Sequence, residues 1–99
     1  MANWKSAATD KLCLYLTKIE TEEEAYAFLE DICTIKEILD ISQRLCVAEL
    51  LCKGENYSSV GQKTSASSAT ISRVSKCLTY GTGGYKKMIE RVNGSKKDD

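Results

Sequence analysis

Apolar residues recur three and four positions apart along most of the chain, the spacing of a helix face, and no pair of alternating segments marks a strand hairpin. Proline is absent, and glycine stands only at 54, 61, 81, 83, 84 and 94, so an all-α fold of helices separated by short punctuators is expected. A first amphipathic helix is predicted from about Trp4 to Ile19, with Leu12, Tyr15, Leu16 and Ile19 on one face. Thr21-Glu22-Glu23-Glu24 reads as a capping box, in which Glu24 would reach back to the amide of Thr21, and it opens a second helix from about Glu22 to Ile32. Thr34-Ile35-Lys36-Glu37 repeats the device before a long third helix that should run to Lys53 and stop on Gly54, a residue free to adopt a left-handed backbone.

The third helix contains Leu45-Cys46-Val47-Ala48-Glu49-Leu50-Leu51-Cys52, apolar at seven of eight positions and therefore around most of its circumference. Such a helix needs cover on several sides, more than a chain of 99 residues readily supplies, which favours a second copy packed against it. Residues 1–54 are accordingly assigned to dimerisation helices, 55–80 to a helix-turn-helix, 81–93 to a C-terminal helix and 94–99 to a flexible tail, all within one domain.

After Gly54 the pattern changes. Two short helices fit, from about Tyr57 to Lys63 and from about Ser68 to Tyr80, with a three- to four-residue turn between them. Gly61 falls where two such helices cross closely, and Val60, Ala66, Ile71 and Val74 fall where small or β-branched residues clamp the second helix. Ser67, Ser68, Ala69, Ser72, Arg73 and Lys76 remain outward, a small, polar and cationic face able to approach the major groove closely. With Ser58, Lys63 and Thr70, these residues form the candidate DNA-contacting set, and the free amides near Ser58 and Ser68 add anion sites.

Charge sharpens the division. Residues 1–55 carry six Lys/Arg against eleven Asp/Glu, whereas residues 56–97 carry eight basic residues against Glu90 alone, the footprint of a phosphate-binding half. The five cysteines, Cys13, Cys33, Cys46, Cys52 and Cys77, form no C-x-x-C pair and have no histidine to complete a zinc set, so they are expected to be buried, reduced thiols. Trp4, Tyr15, Tyr26, Tyr80 and Tyr85 are assigned to packing. No stretch approaches the ~18 apolar residues of a membrane span, and neither end has the pattern of a targeting segment, so a cytoplasmic location is expected. An enzyme is not expected: histidine, a glycine-rich phosphate loop and carboxylates paired beside a nucleophile are all missing. A helical protein-interaction module, or a thiol sensor, stands as the alternative to DNA readout.

Residues 28–91 resemble the Trp repressor superfamily, most closely its Trp-repressor-related (YerC/YecD-type) branch, through DICTIKEI at 31–38, QRL and VAELL of the long helix with its terminal KGE, and ATISRV at 69–74 followed by CLTYG. The resemblance implies an intertwined helical homodimer with one helix-turn-helix per subunit, binding palindromic double-stranded DNA in transcriptional regulation. It also implies an effector pocket in which Arg44 and Arg73 would sandwich a flat ring, with Thr34 nearby. Three departures bear on the ligand: Val74 stands where a glycine leaves room for the indole, Cys77 where a serine lies near the ligand amine, and the segment between Gly54 and Thr70 is one residue shorter. L-Tryptophan is therefore disfavoured, leaving a smaller planar or anionic effector, or no required cofactor. Ser65 occupies a turn position at which this branch carries glycine, so a left-handed backbone there would cost on the order of 1 kcal/mol.

Overall fold

A computed structural model describes residues 3–97. It contains α1 (Ala7–Leu16), α2 (Glu22–Ile32), α3 (Ile35–Cys52), α4 (Tyr57–Thr64), α5 (Ser68–Tyr80) and α6 (Gly84–Lys97), with no strand among the described residues. The backbone clusters into two compact units, residues 1–38 and 39–99, with the boundary inside α3.

The first unit is organised by its caps. α1 is shorter than the predicted helix from Trp4 to Ile19 because polar groups close it at both ends. At its start the Ser6 hydroxyl accepts from the Thr9 amide at 3.2 Å, while the Thr9 hydroxyl accepts from the Ser6 amide at 2.8 Å. At its end the Thr17 hydroxyl donates to the Leu14 carbonyl at 2.7 Å, and the chain leaves the helix through tighter turns. α2 begins as the pattern predicts, and Thr21 Oγ1 accepts from the Glu24 amide at 3.1 Å. The return contact is corrected: the Glu24 carboxylate accepts from the amide of Glu20, at 2.9 Å, not from that of Thr21. Only at α3 is the reciprocal box of the sequence pattern complete, with Glu37 accepting from the Thr34 amide at 2.8 Å and Thr34 Oγ1 from the Glu37 amide at 3.1 Å.

Neither α1 nor α2 contains a buried residue. Between them the rings of Tyr15 and Phe28 stack, centroids 6.5 Å apart and 30° from parallel.

The second unit has a closed core of Val47, Ala48, Val60, Ala66, Ile71, Val74 and Ile89, flanked by Leu50, Leu51, Leu78 and Tyr85. Full burial of each larger aliphatic side chain stabilises by about 1.5–3 kcal/mol, so the core holds α4, α5 and α6 against the C-terminal half of α3. α3 ends as expected: Gly54 takes φ +89°, and the chain turns back so that the Glu55 amide donates to the Leu50 carbonyl at 3.2 Å. α3 is covered on one side only, for Val47 and Ala48 are fully buried while Leu39, Ile41, Leu45, Cys46 and Cys52 are exposed. α6 starts three residues later than predicted, at Gly84, and stays helical to Lys97, so the expected tail is helical over 94–97 and its last two residues lie outside those described.

Two packing expectations are not met within the single chain. The cysteines are unpaired, but only Cys33 is half-buried and the other four are exposed, because Cys46 and Cys52 stand off the covered face of α3 and Cys77 off that of α5. Trp4, Tyr15, Tyr26 and Tyr80 are likewise exposed, and Tyr85 alone of the five assigned aromatics packs against the core.

Candidate nucleic-acid interface

The site is built on α4, the turn 65–67 and α5. Asn56 opens α4 by accepting from the Ser59 amide at 2.8 Å, and Glu55 just before it receives the Ser59 hydroxyl at 2.7 Å and Lys63 Nζ at 2.9 and 3.0 Å. The Ser59 hydrogen bond first, and the Lys63 ammonium after it, hold the Glu55 carboxyl below the usual carboxylate range. The clamp ties the last turn of α4 to its entrance. It also engages Lys63, a predicted phosphate contact, in an exposed ion pair that is weak enough to be exchanged for another anion.

The turn is left-handed at Ser65, with φ 60° and ψ 16°. Three contacts hold it: the Ser65 amide donates to the Gly61 carbonyl at 2.9 Å, the Thr64 hydroxyl donates to the Val60 carbonyl at 2.7 Å, and that same hydroxyl accepts from the Ala66 amide at 3.2 Å. From α3, Gln43 Nε2 donates to the Thr64 carbonyl at 3.1 Å. The turn therefore keeps a conformation that its serine disfavours. At the crossing of α4 and α5, a Cβ on Gly61 would sit 3.7 Å from Ile71 Cδ1, an ordinary contact, so there is room for a methyl group and little more.

Val60, Ala66, Ile71 and Val74 are all buried, and this fixes the rotation of α5 about its axis. Ser67, Ser68, Ala69, Arg73 and Lys76 are consequently exposed, and Thr70 and Ser72 are half-buried. Ser67 is the cap of α5, its hydroxyl accepting from the Thr70 amide at 3.1 Å and bonding Thr70 Oγ1 at 3.1 Å, so this predicted contact residue already serves the helix start. Ser58 is exposed in the first turn of α4. No acidic side chain interrupts α5. Ala69, Ser72, Arg73, Lys76, Cys77, Tyr80 and Gly81 line one open depression of about 570 Å³ along its outer face.

Two of the predicted effector residues line the same surface. Arg73 and Cys77 share that depression; Arg44, half-buried on α3, does not line it. Val74 is 1% exposed and belongs to the core rather than to any open wall. Thr34 lies in the first unit, where it caps α3. No group of three or more metal-ligating side chains occurs among the described residues. The sequence reading missed Glu55, because its partners Ser59 and Lys63 lie on a helix that it precedes, and it missed Tyr80, whose place in register with Arg73 and Lys76 was the available signal.

Two short helices crossing at a small residue, with the second presenting a cationic outer face, define a helix-turn-helix protein. Residues 7–93 match the family model described as Trp repressor protein. The Bacillus subtilis protein YerC, itself uncharacterised, is 43% identical over 83 residues, spanning 84% of this chain and 80% of YerC. Two solved structures share the fold. A candidate Trp repressor from Staphylococcus aureus has a TM-score of 0.87 and 40% identity, over 91% of this chain and 90% of its own. A TrpR-like protein of Eubacterium eligens has a TM-score of 0.86 and 44% identity, over 90% and 92%. The chain belongs to the Trp repressor family, a family of DNA-binding regulators. None of its described helices is long and apolar enough to cross a membrane.

Proposed function

We propose that the protein is a transcriptional repressor that binds palindromic operator DNA as a homodimer, each subunit placing the start of α5 in the major groove. The observation that carries this reading is the outer face of α5: small side chains at Ser68, Ala69 and Ser72 permit close approach, while Arg73 and Lys76 flank them with no acid on the same helix. The homodimer is supported by the apolar residues left open on α1 and α3, Leu12, Leu14, Leu16, Leu39, Ile41 and Leu45. No corepressor is needed. An effector that used the exposed residues would meet Arg73 and Cys77, and titration calorimetry is expected to find no micromolar binding of L-tryptophan.

Selection of bound duplexes from random DNA by the full-length protein tests the proposal. The expected result is a palindromic consensus with half-sites about one helical turn, roughly 34 Å, apart. Lys76→Ala should weaken binding to all sequences and flatten the logarithmic salt dependence by about one unit. No enrichment, with a monodisperse monomer at micromolar concentration, would leave the protein-interaction reading in its place.

A further inference from the structure

We propose that Tyr80 is a DNA-backbone contact, its phenol donating to a phosphate at the rim of the groove that α5 enters. The inference rests on the DNA-binding reading above and extends it to a residue that sequence pattern alone places in a core. Tyr80 is 84% exposed, far more than a packing tyrosine. It sits four residues beyond Lys76 and seven beyond Arg73, hence on the same helix face, and with them it lines the depression along α5. Ile71, Val74 and Leu78 occupy the opposite side of the helix, so the core that fixes its rotation aims Tyr80 where it aims the two cations.

Length then decides which part of a duplex Tyr80 would reach. Tyr80 lies about 18 Å along the axis from Ser68, at 1.5 Å per residue. The major groove is about 12 Å wide, and a recognition helix meets base edges with its N-terminal residues. A helix seated in this way carries Ser68, Ala69 and Ser72 to the bases and Tyr80 past the groove wall, to the sugar-phosphate strand. The helix end is firmly held there. The Gly81 amide donates to the Cys77 carbonyl at 2.9 Å, and a Cβ on Gly81 would come within 2.4 Å of that oxygen, so only glycine permits the close turn that stops α5 directly after Tyr80. The surroundings favour a polyanion, since the charged residues lining the depression are Arg73 and Lys76. A phenol adds a neutral donor at this position, which orients the helix on the backbone without adding charge.

The neutrality of the phenol gives the test a distinctive readout. Full-length wild type, Tyr80→Phe and Lys76→Ala are compared by fluorescence anisotropy over a salt series, on the selected operator and on a random duplex. Tyr80→Phe is expected to lose about fivefold in affinity on both duplexes, the loss of one ordinary hydrogen bond, with an unchanged salt slope because no counterion is released by a neutral donor. Lys76→Ala, in contrast, flattens the slope. Wild-type affinity in Tyr80→Phe overturns the proposal, as does a changed base preference, which would make the contact one to a base edge. Sedimentation of Tyr80→Ala as a monomer, where wild type is a dimer, also overturns it and assigns the tyrosine to a second copy. Absence of duplex binding by wild type itself removes the DNA-binding reading together with the proposal, an outcome distinct from loss of the tyrosine effect alone.

Discussion

Residues 1–38 and 39–99 are both helical, yet they are held in different ways. The second unit buries seven apolar side chains in a continuous core, whereas α1 and α2 of the first bury none. A ten-residue helix such as α1 is marginal in water by itself, and no residue of α1 or α2 is buried to anchor it. The first unit thus has well-formed caps with no closed core beneath them. The comparison therefore separates a unit closed on its own core from one that leaves its apolar side chains exposed, the side chains that the proposed homodimer would cover.

The sharpest way to break the comparison is to place a carboxylate in each region. Val74→Asp buries an unpaired charge in the second unit and should cost about 4 kcal/mol or more, abolishing the cooperative thermal transition seen by circular dichroism. Leu12→Asp combined with Leu16→Asp should instead yield a monomer in sedimentation while the amide spectrum of residues 56–80 stays folded. Unfolding of both units by the double variant would show that they are one cooperative body.

Val74→Gly should lower stability by about 3 kcal/mol, from lost burial plus the helix penalty of glycine, without creating an L-tryptophan site. Tryptophan binding by a stable Val74→Gly variant would move this residue from the core to a ligand wall. Ser65→Gly should raise stability by about 0.5–1 kcal/mol, visible as a higher denaturant midpoint, because it relieves the left-handed turn. The smallest effect belongs to Glu55. Its folded pKa is depressed, so its contribution to stability is present above the ordinary glutamate range, about 4.3, and is lost as the pH falls through the lower folded value. Glu55→Gln should therefore differ slightly from wild type near neutrality, converge with it in acid, and differ less at high salt.

Helix register was legible wherever a local signal and the core agreed. Asn56, Ser67 and Gly54 mark helix ends through bonds to residues only a few positions away, and Val60, Ala66, Ile71 and Val74 recur at spacings that leave one way to bury them together. The identity of the exposed α5 face followed from those four positions by elimination. Aromatic and thiol side chains were misplaced for the complementary reason. Hydrophobicity says that Tyr80 or Cys46 gains by burial, but not whether a neighbouring element stands on that side of the helix.

The pattern of one chain thus determined its six helices, the crossing at Gly61 and the cationic stripe on α5, because each depends on residues within a few turns of one another. Packing in three dimensions decided that Lys63 is held by Glu55 and that Tyr80 stands exposed beside Arg73 and Lys76. Those outcomes depend on which faces remain after the core has closed, a condition set by all the elements at once and written at no single position.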